Sequence, residues 1–285
     1  MDVLTVPAYA KLNLSLDILR RREDGYHDLE MIMQSISLHD DVTVKILEEG
    51  IYCHTDMAGL PTDENNLAVK AAKTFFAETG MLHKGVDIRL TKRIPVQAGM
   101  AGGSTDAASV LRALRQLCMP TLPERELERI GALVGSDVPY CIRGGTAFVQ
   151  GRGEILTSLC RLPRLSVVVC KPQFSVETPV LFSRVCVDTL KHRPNTTEML
   201  CAIENGDLKN MFGQVKNVFE EVLQRKEQKE IRRIKEKLRE LGADAASMTG
   251  SGPTVFGLFQ QRALAQGAYE DLKPIYQETY LAEFV

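Results

Sequence analysis

The chain has 285 residues, 44% of them hydrophobic and 25% charged, with a formal net charge of −2. At about 150 residues per domain this is enough for two modest domains, each with its own core, and no stretch is polar enough to stay unfolded. The balanced charge gives no basic field to gather nucleic acid or an anionic membrane, and nothing approaches the ~20 apolar residues of a spanning helix.

The N-terminal stretch "MDVLTVPAYAKLNLSLDIL" is interrupted by polar residues throughout and carries no targeting pattern. Within it Leu12, Leu14, Leu16 and Ile18 alternate with Lys11, Asn13, Ser15 and Asp17, the period of a half-buried strand with one polar face. On that reading Lys11 is a solvated lysine. "RRREDGY" supplies an Asp-Gly turn, followed by two strands, "LEMIMQSISL" and "DVTVKIL". Residues 66–79 read as a helix closed by Gly80, and "GVDIRLTKRI" as a strand leading to Pro95. Thr121 and Glu124 stand at capping-box spacing before "RELERIGALVG", a further helix.

Glycines in "GGTAFVQGRGE" and the rise of "RLSVVVCKP" suggest a boundary near residue 155, giving domains 1–155 and 156–285. The second reads as a strand, helices at roughly 178–190 and 205–241, the segment "ADAASMTGSGPTVFGLF", a final helix and a last strand. In residues 224–242, Ile231, Ile234, Leu238 and Leu241 form one apolar stripe on a solvated helix. Helices and strands mix in both parts, so the class is α+β. Seven cysteines without a CxxC pair and five histidines without HxxxH or HExxH spacing read as reduced packing residues, with no disulfide frame and no protein-built metal cage.

Three stretches carry the chemistry. In "PVQAGMAGGSTDAASVLRALRQL" (95–117) a glycine-rich turn runs directly into a helix. Converging backbone N–H groups and the positive end of a helix dipole attract phosphate there. Ser104 and Thr105 add hydroxyls that donate to phosphate or reach a magnesium ion, and Asp106 sits where a carboxylate stabilises a helix start. The loop is neither a P-loop nor a dinucleotide fingerprint, and taken alone it is equally a tight turn packing a strand onto a helix. "MTGSGPTVF" (248–256) offers a second glycine turn with Ser251, by itself an ordinary hairpin turn. "LVGSDVPYCIRGG" (133–145) places Asp137 in a short loop, where a carboxylate serves as turn, cap or catalyst.

The order and spacing of "PAYAKLNLSLDILRRREDGYHDLEMIMQSISLHD", "PVQAGMAGGSTDAA", "GSDVPY" and "MTGSGPTVF" resemble the GHMP kinase superfamily essentially from end to end. The string "AKLNLSLDI…DGYH" resembles in particular the branch whose acceptor alcohol is a cytidine-diphosphate-linked methylerythritol. The resemblance implies a two-domain GHMP kinase-like fold, with a ribosomal protein S5 domain 2-like N-terminal domain and a ferredoxin-like C-terminal domain. It implies ATP and Mg2+ as cofactors, a small-molecule acceptor, no nucleic acid or membrane partner, a monomer or weak homodimer, and a bacterial cytoplasmic location.

By the same resemblance the loop from Pro95 through Val96, Gln97, Ala98, Gly99, Met100, Ala101, Gly102, Gly103 and Ser104 to Thr105 would wrap the ATP phosphates. Asn66 would lie on the adenosine side. Asp137 would accept the proton of the acceptor hydroxyl with Lys11 beside it, keeping it ionised. Tyr26 and Phe182 would sandwich the cytosine, His27 would read its edge, and Asn13 and Thr178 would line the pocket; without the resemblance, ordinary core is the better reading of the same two aromatics. The magnesium ligands are left unassigned. Relatives often have leucine at Met100, glycine at Ala101 and serine at Thr105. If residue 101 needs positive φ, its Cβ costs about 1 kcal/mol or more.

Overall fold

The computed structural model describes residues 2–81 and 84–285. Backbone packing groups the chain into two compact units, each drawn from several segments. The first comprises the residues up to Ala10, His39–Ile94 and Ala101–Gly144; the second comprises Lys11–Leu38, Pro95–Met100 and Gly145–Val285. Strands β1 (Val3–Arg21) and β2 (His27–Leu47) contribute to both. We retain the division at residue 155 as a proposal for domain organisation; in the structure that residue opens β6 (Ile155–Ser158). The two strands expected between residues 29 and 47 are one, because no glycine or proline interrupts them.

In the first unit, β4 (Gly85–Thr91) pairs antiparallel with the second half of β2 and parallel with β3 (Ile51–Thr55). Helices α1 (Leu67–Glu78), α2 (Gly102–Cys118), α3 (Glu124–Val134) and α4 (Val138–Arg143) pack together beside them. α1 ends as expected, with Gly80 at φ 72° just past its last turn. The Thr121–Glu124 capping box does not form: α3 starts at Glu124 behind Pro123. Proline disfavours helical backbone at the residue before it, so Leu122 closes a turn onto Met119 instead.

In the second unit, β5 (Thr146–Gly151) pairs antiparallel with the first half of β2 and with β6. A separate antiparallel sheet has the order β10-β7-β9-β8, from β7 (Ser166–Lys171), β8 (Ala245–Met248), β9 (Val255–Phe259) and β10 (Glu278–Glu283). Packed by α8 (Arg225–Glu240) and α9 (Arg262–Leu272), it is the ferredoxin-like arrangement. Between β7 and α8 come α5 (Thr178–Ser183) and a 3₁₀ turn, Val187–Thr189, in place of the single helix expected over 178–190, then α6 (Thr196–Glu204), α7 (Leu208–Gly213) and a second 3₁₀ turn, Val218–Glu221.

The helix expected over 205–241 is therefore broken, and α6 lies outside the expected elements. The break has a cause: the Lys216 carbonyl accepts the Leu16 N–H at 3.0 Å, and Asn217 bridges to Leu16 in parallel. Asn217, with φ −138° and ψ 114°, is held extended in that bridge to β1, which α-helical backbone cannot do.

The polar face of β1 is not solvated. Lys11, Asn13, Ser15 and Asp17 are only 4%, 1%, 0% and 5% exposed. Burial of such groups demands partners: Asp17 meets Arg193 at 3.1 Å through both carboxylate oxygens, and Ser15 accepts the Ile32 N–H at 3.2 Å. None of the seven cysteines is in a disulfide; Cys53, Cys141 and Cys170 are buried but Cys160, Cys186 and Cys201 exposed, so packing explains only some of them. Among the described residues no helix is long and apolar enough to cross a membrane.

The α8 stripe buries Ile231, Ile234 and Leu238, with Leu241 half-buried. A capping box of Gln224 and Glu227 starts the helix. Ile234→Ala leaves a void that the ferredoxin-like sheet cannot fill, and urea unfolding should register a loss of about 2–5 kcal/mol.

Candidate active site

The loop after Pro95 has positive φ at alternate residues, 51° at Gln97, 71° at Gly99 and 60° at Ala101. Between them Ala98 and Met100 turn their side chains into the core, 3% and 1% exposed. Left-handed residues alternating with buried ones are a backbone pattern found in anion-binding concavities. α2 begins directly after Ala101, and the N–H groups of its first turn have no carbonyl four residues back. Gly103 is exposed and Ser104 half-buried at that end. Thr105 is different: its hydroxyl donates to the Tyr9 carbonyl at 2.7 Å and its side chain is buried, so its proton is already used.

Gly99 meets the second glycine turn backbone to backbone. A Cβ at Gly99 would lie 2.2 Å from the Thr249 carbonyl oxygen, and one at Gly250 would lie 2.7 Å from the Gly99 oxygen and 3.2 Å from Lys11 Nζ. Only glycine fits either position. Lys11 Nζ donates to the Gly99 carbonyl at 2.9 Å and to Asn13 Oδ1 at 2.5 Å. Thr249 Oγ1 accepts the Asn13 N–H at 3.0 Å. Behind the turn, buried Asn217 donates through Nδ2 to the carbonyls of Met248 and Gly250, both at 2.8 Å, and Glu220 accepts the Met248 N–H at 2.9 Å. Sequence reasoning did not single out Thr249, Asn217 or Glu220; Asn217 sits in a charged, helix-like run that gives no local sign of its role.

The aromatic residues of the second unit pair differently from a Tyr26–Phe182 sandwich. His27 stacks on Phe182 with centroids 5.1 Å apart and planes at 24°, and Phe219 meets Phe182 edge-on at 4.9 Å. Tyr26 is 58% exposed, with the Arg152 guanidinium 5.0 Å from its ring centre. Thr178, the first residue of α5, has its hydroxyl 2.8 Å from that of Ser251, tying α5 to the glycine turn. Burial, and secondarily the charge of Arg21, holds the His27 imidazole below its ordinary pKa.

In the first unit Asp137 occupies the N-cap position of α4, half-exposed, with a carboxylate that makes no capping hydrogen bond. Asn66 is a true cap: its Oδ1 accepts the Ala68 N–H at 2.9 Å and its Nδ2 donates to the Pro61 carbonyl at 2.7 Å. Asp106 does not serve the helix terminus. It is 3% exposed and forms a buried cluster with Lys92 and Asp40; burial pushes its carboxyl well above the usual range, with Lys92 opposing and Asp40 adding to the shift.

Two family models match the chain: GHMP kinases N terminal domain over residues 66–145 and GHMP kinases C terminal over 199–276. The fold is shared with a homoserine kinase from Cytophaga hutchinsonii at a TM-score of 0.79 and 18% identity, covering 100% of this chain and 95% of that one. These define the class, a GHMP kinase. A crystal structure of 4-(cytidine 5'-diphospho)-2C-methyl-D-erythritol kinase superimposes with a TM-score of 0.82 at 31% identity, covering 99% of each chain. The 4-diphosphocytidyl-2-C-methyl-D-erythritol kinase of Clostridium tetani (strain Massachusetts / E88) is 43% identical over 282 residues, 99% of this chain and 100% of that protein. The chain belongs to the 4-diphosphocytidyl-2-C-methyl-D-erythritol kinase family of GHMP kinases.

Two outcomes follow from this geometry. A left-handed alanine costs about 1–2 kcal/mol and glycine returns roughly 0.5–1 of that in unfolded-chain entropy, so Ala101→Gly should stabilise the protein by about 0.5–1 kcal/mol in chemical unfolding. His27, depressed in the folded state, resists a proton that the unfolded chain accepts near its ordinary pKa of about 6.5. Stability should therefore fall as pH drops below that value, and His27→Gln should remove this part of the slope.

Proposed function

We propose that this chain transfers the γ-phosphoryl group of ATP to the 2-hydroxyl of 4-diphosphocytidyl-2-C-methyl-D-erythritol, a step of the non-mevalonate route to isoprenoid precursors. The observation that carries the reading is the 43% identity over 99% of the chain to a relative named for that acceptor. In the transfer, the hydroxyl oxygen bonds to the γ-phosphorus as the bond to the β–γ bridging oxygen breaks, and the hydroxyl proton must leave.

Asp137 takes that proton; a half-exposed carboxylate engaged in no cap is available for it. The segment 95–105 wraps the phosphates, with backbone N–H groups between Val96 and Ser104 as donors, supported by the alternating left-handed backbone and the start of α2. Lys11, through its bond to the Gly99 carbonyl, fixes that loop and brings a positive charge to it. Tyr26, His27, Phe182, Asn13 and Thr178 receive the cytidine end, which offers a flat ring and a donor–acceptor edge. Asn66 enters by its position alone, since its side chain is occupied as a cap.

Magnesium is part of the proposal. Among the described residues no three His, Cys, Asp or Glu side chains gather as a metal-holding group. The proposed ion is carried by nucleotide phosphates and water with one or two protein ligands, for which the Ser104 hydroxyl, half-buried at the start of α2, is a candidate. The ion neutralises phosphate charge when bound. A monomer or weak homodimer working in a bacterial cytoplasm completes the reading.

The test is ADP release with magnesium-ATP and the cytidylated acceptor, with free methylerythritol, homoserine and mevalonate as controls. Turnover is expected with the cytidylated alcohol alone; equal turnover with a control overturns the acceptor. In Asp137→Asn, kcat should fall by about 10²–10⁴ while ATP affinity stays near that of the parent. An unchanged kcat removes Asp137 as the base.

A further inference from the structure

The buried cluster of Asp40, Lys92 and Asp106 has no part in the roles assigned above. Lys92 Nζ donates to Asp106 Oδ2 at 2.5 Å and also to Asp40 Oδ2. Asp40 Oδ1 accepts the N–H of Ile94 at 2.8 Å and that of Arg93. The three side chains, Lys92, Asp40 and Asp106, are 3%, 0% and 4% exposed. One ammonium thus links residues 92–94, which lead into the loop, to α2, which leaves it. A Cβ on Gly102 would lie 3.8 Å from that ammonium, so Lys92 runs beside the first residue of α2.

As a device for stability alone the cluster is poor. Two carboxylates share one cation, Asp106 Oδ1 has no hydrogen-bond partner, and apolar side chains of similar volume commonly stabilise a core as well or better. What ions provide and apolar packing does not is a fixed direction between two backbone segments.

We propose that Lys92 and Asp106 are positioning residues for the nucleotide phosphates, their ion pair pinning the two ends of the segment 95–101 to one another so that the N–H groups of the α2 start are set before ATP arrives. This rests on the reading of residues 95–105 as the ATP loop. Neither residue touches the nucleotide; each acts by removing loop freedom that binding would otherwise have to overcome.

The test compares Asp106→Leu, which cuts the link to α2 and leaves a neutral Lys92–Asp40 pair, with Asp106→Asn, which keeps an acceptor for the ammonium. ATP affinity is read by titration calorimetry without any acceptor alcohol, alongside thermal unfolding. ATP should bind about tenfold more weakly to folded Asp106→Leu and within about twofold of the parent to Asp106→Asn. A lower melting temperature with unchanged ATP affinity in folded Asp106→Leu would make the cluster merely structural and overturn the inference. Should the leucine variant fail to fold, Asp106→Ala makes the same cut and is judged by the same affinities. A parent protein that binds no ATP overturns this inference together with the kinase reading, whereas equal binding by parent and leucine variant overturns this inference alone.

Discussion

Where Gly99 meets Gly250, two backbone turns touch with no side chain between them, and the Lys11 ammonium lies against the contact. Much of the second unit is arranged to permit this approach. Asn217 and Glu220 hold the Gly250 turn from behind through Met248 and Gly250, and Asn13 and Thr249 lock its front to β1. Because hydrogen bonds to buried carbonyls replace water that can no longer reach them, each partner is needed for the next to be tolerated. The broken helix belongs to the same arrangement, since the Asn217 that donates to both carbonyls is itself extended and bridged to Leu16 of β1.

Phosphoryl transfer asks little covalent chemistry of a protein and much positional accuracy. Buried polar groups of the kind that fix positions occur in both units: the Lys11, Asn13 and Thr249 set in the second, and the Asp40, Lys92 and Asp106 set in the first. Such groups in a dry interior are stiff, because any displacement strands a dipole or a charge. Ala101, with its left-handed backbone and its Cβ, shows the other side of the arrangement. Local strain is accepted where the loop's path matters more than its intrinsic preference.

Local patterns in the sequence were good guides where a local force decides the outcome. The α8 stripe, the Gly80 stop and the alternation in β1 all derive from periodicity or turn chemistry, and all are present. What the alternation in β1 could not reveal is that its polar face is covered, since the covering residues lie in segments far away in sequence, such as Arg193 and Thr249. The Thr121–Glu124 spacing misled because Pro123 vetoes the helical turn it presupposes. The glycines of the loop after Pro95 were legible as a motif; that Gln97 and Ala101 share their backbone conformation was not, because side chains with a Cβ rarely adopt it. Asp40, Lys92 and Asp106 are ordinary charged residues one by one. Their meaning exists only after folding brings them together.

The interleaving of segments has a consequence for how the protein is made. The second unit takes residues from 11 to 38 and again from 145 onward, and its sheet closes only when β10 pairs with β7. A ribosome delivering the chain from its N-terminus exposes β1 and β2, with their long apolar rows, well before β9 and β10 have been synthesised. Vectorial folding of one finished module after another is thus not open to the second unit. Until then the nascent chain carries two apolar strands whose later partners have yet to be made, the kind of exposure that favours aggregation.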